Sequence, residues 1–142
     1  VTAVPVPALH TPALHAPALH AYEYALLRVV PRVERGECLN AGVVLYCHAM
    51  EHLSAVVALD RARLHALDPG ADAEAVEHAL AAVVDVCHGH GAAGREPRGG
   101  RFRWLTAPRS TVVQPGPVHT GLTTDPAGDA VRLLARLVHP PA

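Results

Sequence analysis

The sequence predicts an α+β domain, a mainly antiparallel sheet of about five strands with two or three helices packed on it. Three observations predict it. Strand-like runs come first and are joined by hairpin-length connections, which makes the sheet antiparallel. Helix-period apolar patterns opened by acidic caps come next. An Asp125-Pro126 pair then starts a last helix with a cap followed by Pro at the first helical position. The expected order is β-β-β-α-α-β-β-α, with the helices covering one face of the sheet.

The elements follow from local patterns. Residues 7–21 are a tandem repeat, Pro-Ala-Leu-His-Thr/Ala, with Pro7, Pro12 and Pro17 in register. Pro at every fifth position removes helical donors, so residues 1–21 read as a disordered tail, and residues 22–142 as a single domain. Tyr22–Val30 is a strand ended by Pro31. One of its faces carries Tyr22, Tyr24, Leu26, Arg28 and Val30. Asn40–Cys47 and Leu53–Leu59 are two more strands, rich in β-branched and apolar residues, with residues 48–52 as the hairpin connection. Asp60 caps a short helix carrying Leu64 and Leu67. A longer helix runs from Asp68 or Asp72 to Cys87, with Val76, Leu80, Val83, Val84 and Cys87 on one face. Gly91–Gly100 reads as a mobile Gly- and Arg-rich loop. Arg101–Thr106 and Thr111–Gln114 read as strands. The last helix is expected to bury Val131, Leu134, Leu137 and Val138.

Composition bounds the function. The chain of 142 residues is half apolar and carries a net charge of −1 with His neutral. A chain this long buries about two thirds of its unfolded surface, enough for a real core. The near-neutral charge gives no global field for nucleic acid and argues against it as a partner. All basic residues are Arg and Ile is missing, a bias of the kind a GC-rich bacterial genome imposes. No apolar run spans a bilayer. Cys38, Cys47 and Cys87 are odd in number, with no Cys-x-x-Cys and no secretory signal read ahead of them. Reduced thiols and a cytoplasmic location are expected.

Two polar stretches are the candidate binding sites. The first holds Arg28, Arg32, Glu34 and Asn40. Arg28 interrupts an apolar strand, and a guanidinium there needs an acceptor or water. It serves either as an anion clamp or in an internal ion-pair network with Glu34 or Glu37. The second stretch holds Arg109, Ser110, Thr111 and His119, between Pro and Gly residues. Such a loop offers an anion-binding turn, or turn-capping hydroxyls with no ligand. A Ser110–His119 pair, oriented by Asp125, would instead make a small hydrolase or transferase. Phe102 and Trp104 share a strand face and are expected in the core. Cys87-His88-Gly89-His90 lacks a second ligand pair, so no metal site and no cofactor are expected. The two Arg stretches form one anion site only if the fold brings them to a common opening.

From residue 22 to about residue 138 the chain resembles a bacterial family, domain of unknown function 3037. One matching stretch is Tyr22-Glu-Tyr-Ala-Leu-Leu-Arg-Val-Val-Pro-Arg-Val-Glu-Arg-Gly-Glu37, continued by Leu39-Asn-Ala-Gly-Val-Val-Leu-Tyr46. The other is Phe102-Arg-Trp-Leu-Thr-Ala-Pro-Arg-Ser-Thr-Val-Val-Gln-Pro-Gly-Pro-Val-His-Thr-Gly121. Cys38 and Ala41 depart from the pattern. The resemblance implies no established activity. It implies a kinase-like partner protein, because relatives are often encoded beside kinase-like proteins. The resulting expectation is a binding or accessory module that holds an anionic group or a partner protein.

Overall fold

Apolar residues at alternate positions of the first strand and an unbroken apolar run in the second set up the sheet. The computed structural model describes residues 2–5 and 17–142, so most of the Pro-Ala-Leu-His repeat lies outside the described residues. β1 (His20–Val29), β2 (Leu39–Cys47) and β3 (His52–Val57) form an antiparallel meander. β1 takes in His20 and Ala21 from the end of the repeat. On its other side β1 pairs with two short antiparallel segments, β4 (Val113–Pro115) and β5 (His119–Thr123). Asn40 is the only residue of β2 that is not buried. An unalternating run such as Val43-Val44-Leu45-Tyr46 marks a strand covered on both faces, and that is how it is used.

The helices therefore do not cover one face, as the sequence reading had it, but both. α1 (Arg61–Leu67), α2 (Ala73–Cys87) and α3 (Arg98–Thr106) contribute Leu64, Val76, Leu80, Phe102 and Leu105 to a core with Ala25, Leu27, Val29, Val44 and Tyr46. α4 (Pro126–Leu137) lies on the opposite face, giving four α-helices among the described residues. There Val43, Leu45 and Cys47 are fully buried outside the first core. Three hydrogen bonds and caps fix the helices at their ends. Asp60 accepts from Arg63 N at 3.1 Å and Asp72 from Ala75 N at 3.1 Å, as N-caps do. Asn40 Nδ2 donates to the Leu137 carbonyl at 3.0 Å, which holds the end of α4 over β2. Pro126 and Ala130 of α4 and Val138 at its C-cap are buried in one i,i+4 row, with Leu134 half-buried. Val131 and Leu137, expected in the stripe, are 58% and 37% exposed because each lies one position off that row.

Residues 101–106 are a helix, not a strand. Pro97 sits at the N-cap of α3, and Phe102 and Leu105, three positions apart, are its buried residues. A helix turns residues two apart to opposite sides, whereas a strand puts them on one face. Phe102 is accordingly 1% exposed and stacks on Tyr46 with ring centroids 5.5 Å apart, while Trp104 is 49% exposed. Of the two glycines at 99 and 100, the first serves a close contact: a Cβ at Gly99 would lie 3.0 Å from the Tyr46 hydroxyl. Residues 91–100 accordingly include a 3₁₀ turn at Ala93–Arg95 and the first turn of α3. Arg101, at half-buried depth, donates to the Val86, Cys87 and Glu96 carbonyls and so closes the end of α2.

The edge of the sheet holds a strand in a stretch whose Pro and Gly residues predict a loop. His119–Thr123 pairs with the first half of β1, and Val113–Pro115 with its second half. Between Leu27↔Pro115 and Tyr24↔His119, residues 116–118 stand against the two residues Ala25 and Leu26. Pro117 has no N–H to offer the ladder, which breaks the edge there.

Candidate functional site

The register of β1 decides what each candidate residue can meet. Arg28 pairs with Asn40 on one side and Gln114 on the other. Tyr24 pairs with His119, and Tyr22 with Gly121. Paired residues share a face, so Tyr22, Tyr24, Arg28 and His119 all lie on the α4 side of the sheet. α4 covers β2 and leaves the β1–β4/β5 half of this face open as a trough. It runs from Tyr22, beside Asp129 and Arg132, to Arg28, beside the Asn40 that holds the last turn of the helix. Those six strand positions span about 20 Å.

Two glycines shape the floor. A Cβ at Gly121 would come within 2.6 Å of the Tyr22 ring, so the ring lies flat across that residue. A Cβ at Gly116 would come within 3.1 Å of Arg28 Cζ, so the guanidinium lies flat there. Between them Tyr24 stacks on His119, with centroids 5.3 Å apart, and lies 5.9 Å from Tyr22. Arg132 and Arg136, one helical turn apart, stand on the wall, where a cleft of about 270 Å³ opens between Tyr22 and α4.

The electrostatics of this face are one-sided. Arg132 Nε donates to Asp129 at 2.9 Å, and Thr123 Oγ1 donates to the other oxygen of the same carboxylate. Burial acts to raise the Asp129 carboxyl, but these hydrogen bonds and the Arg132 charge outweigh it and hold it below its ordinary value. Burial, reinforced by the Asp129 charge and by Tyr24, pushes the Tyr22 phenol up. Among the described residues, neither Arg28 nor Arg136 has a carboxylate within ion-pair range. The trough therefore presents cationic charge that no acid of the fold neutralises.

The other candidates go elsewhere. Arg32 pairs with Asp68 at 3.5 Å, and Arg35 with Glu37, so the turn after β1 is an ion-pair network that draws on α1's end rather than on Glu34. Glu34 is exposed. Asn40 is engaged on the Leu137 carbonyl. Arg109 lies over the Trp104 ring at 4.8 Å and donates to the Ala107 and Trp104 carbonyls, which closes α3. Thr111 Oγ1 donates to the Val113 carbonyl at 2.8 Å, and Ser110 is exposed. Arg109 and Thr111 line an apolar cleft of about 280 Å³ on the α2 side of the sheet. The two Arg stretches therefore do not share one opening: Arg28 faces α4 and Arg109 faces α2. Ser110 and His119 are also separated. Val112 O accepts from Val30 N and His119 stands opposite Tyr24, so Ser110 lies beyond one end of a stretch of about 20 Å and His119 at the other. A direct Ser–His hydrogen bond needs about 3 Å.

Cys87 is buried in α2 and its thiol is pushed up to about 12 by burial, against the opposing charge of Arg101. Among the described residues, no three His, Cys, Asp or Glu side chains come together as metal ligands.

Tyr22, Arg132, Arg136 and the two glycines did not enter the sequence-based site. The signal was partly present, since Tyr22, Tyr24 and Arg28 alternate on one strand face and Arg132 and Arg136 are an i,i+4 pair. Their meeting depends on α4 crossing to the second face, which no local pattern encodes.

The fold and site together define an α+β domain whose antiparallel sheet carries helices on both faces, with α4 covering only part of the second. A model of the family described as protein of unknown function (DUF3037) matches residues 24–138, and the chain belongs to that family. No curated protein and no solved structure gives a significant match. Among the described residues, no helix is long and apolar enough to cross a membrane.

Proposed function

We propose that this domain is a binding module that holds an anionic ligand in the trough between α4 and the β1–β4/β5 half of the sheet. The observation that carries the reading is Arg28. Its guanidinium is half-buried, laid flat over Gly116, and without a carboxylate partner among the described residues. Holding a cation in that state is unfavourable unless water or an anion completes its hydrogen bonds. Arg136 and His119 on the same face can reach the same ligand. Arg32 and Arg109, by contrast, are engaged with groups of the fold itself. Ligand recognition here needs only pre-placed donors, which a strand and a packed helix supply without rearrangement.

The test uses tripolyphosphate as the probe, with thermal unfolding of the full chain as the readout. Tripolyphosphate raises the unfolding temperature of the wild-type protein, since a ligand that binds only the folded state stabilises it by mass action. Arg28→Gln combined with Arg136→Gln removes the rise, and Arg35→Gln, in the turn outside the trough, keeps it. A wild-type protein that does not respond, or a double variant that responds fully, overturns the reading. Gly121→Val is the steric companion. It pushes the Tyr22 ring off the floor and into the opening beside Arg132 and Arg136, costs about 1–3 kcal/mol of stability as overpacking does, and weakens the response by blocking that opening.

A further inference from the structure

We infer that the anionic ligand of the trough is single-stranded nucleic acid; the inference rests on the anion-binding reading and adds the chemical class. Cations alone would accept any anion. The floor is more selective than that, because it is built of flat π surfaces. Tyr22 lies on Gly121, Tyr24 against His119 and Arg28 on Gly116, with neighbouring rings 5.9 and 5.3 Å apart and tilted by 33° and 34°. The glycines opposite Tyr22 and beside Arg28 matter because any side chain there would stand these groups up and break the plane. Bases stack on exposed aromatic rings and on Arg guanidinium planes whatever their sequence.

The wall fits the same occupant. Arg132 and Arg136 recur one turn apart along α4, about 6 Å of helix rise, and line the Tyr22 end of the trough, while Arg28 supplies the cation at its other end. A polymer with a base on one side and a phosphate on the other meets planes on the floor and cations on the wall. An acidic or phosphorylated peptide would use the cations but has no planar group for each ring. A duplex keeps its bases stacked inside and cannot offer them to the floor. The near-neutral charge of the whole chain argued against nucleic acid, but the trough departs from that average. Asp129, its acidic residue on α4, is already hydrogen-bonded to Arg132 and Thr123. With Arg28 and Arg136 unpaired, the logarithm of affinity is expected to fall with the logarithm of salt with a slope of about −1.4.

The experiment is fluorescence anisotropy of the full chain with a labelled ten-nucleotide oligothymidylate and oligouridylate, and with a duplex of equal length. Tripolyphosphate-induced thermal stabilisation is followed in parallel. The single strands bind and the duplex does not. Tyr24→Leu, which keeps an apolar side chain of useful size, weakens single-strand binding about tenfold, the loss of one stacked base, and leaves the tripolyphosphate response in place. Tyr22→Leu does the same by a second route, and either variant is scored only if its unfolding is cooperative. Arg136→Gln makes the salt slope shallower by about 0.7. If tripolyphosphate acts but the oligonucleotides do not bind, the anion reading stands and the nucleic-acid inference falls. Equal binding of duplex, or single-strand binding indifferent to both Tyr substitutions, also overturns it. If neither probe binds, both readings fall. A dimer in sedimentation velocity that Tyr24→Leu dissociates would assign the trough to a second copy of this chain and overturn the inference too.

Discussion

Phe102 and Trp104 stand two residues apart, and truncating each tests whether they sit on a helix. The Phe102 ring is 1% exposed, stacked on Tyr46 in the core shared with Leu105. Burying a Phe removes about 150–250 Å² from water. At about 25 cal/mol per Å² that is about 4–6 kcal/mol as an upper bound, and a compact unfolded state reduces it to about 3–5 kcal/mol. Measured Phe→Ala costs in cores fall in the same range. Trp104 keeps 49% of its surface in water and touches the Arg109 guanidinium from one side. Its truncation loses about half the area and an exposed cation–π contact of about 0.5–1 kcal/mol, for a net of about 2–3 kcal/mol after the same unfolded-state reduction. Urea unfolding of Phe102→Ala and Trp104→Ala, analysed at constant m-value, reads both numbers. The expected gap is about 1–2 kcal/mol in favour of Phe102. Equal losses would mean that both rings share one buried face, as on a strand, and would refute the helical assignment of residues 98–106 together with the exposure of Trp104.

Two more outcomes follow from the thiols and from α4. Cys38 is exposed while Cys47 and Cys87 are buried, and burial pushes the Cys87 thiol up to about 12. A disulfide reagent at pH 8 therefore modifies one thiol quickly in the native protein and all three in urea, because only the thiolate attacks; rapid native labelling of Cys87, located by peptide mapping, would contradict its burial. The Asp129 carboxyl is held below its ordinary value in the folded state, so its stabilising effect is complete above the unfolded carboxylate's pKa of about 3.9 and is lost as pH falls through the lower folded value. Asp129→Asn is expected to lower stability at pH 7 and to flatten the acid limb of the stability profile below about pH 4; an unchanged acid limb would show that this contact does not contribute.

Much of the fold was legible because it is written in local periods. The three meander strands, the Asp60 and Asp72 caps and the Asp125-Pro126 helix start each depend on a few neighbouring residues, and each stands within about two residues of its expected place. Residues 98–106 were misread because Arg101, Phe102, Arg103 and Trp104 alternate as in a strand. Gly99 and Gly100 argued for a loop, while the contact that requires a glycine, Tyr46 against Gly99, lies more than fifty positions away in the chain. β5 was missed because its burial is slight and Pro117 interrupts the edge it belongs to. Of the candidate site residues, Arg28 and His119 share the trough, whereas Arg32, Asn40, Arg109 and Thr111 turn inward to an ion pair, a helix end, a ring and a turn.

The chain by itself determined the three meander strands and the helices opened by acidic caps, that the sheet is antiparallel, and that the Tyr22–Arg28 face of the first strand is mixed aromatic and cationic. Those properties follow from side-chain spacing and backbone geometry over ten residues or so. Only the tertiary structure decided that α4 covers the second face of the sheet and stops short of β1, that Gly116 and Gly121 lie beneath Arg28 and Tyr22, and that Arg28 and Arg109 look out from opposite sides. These depend on which faces pack together across the chain, and that choice is made by the burial of whole surfaces rather than by any short run of residues.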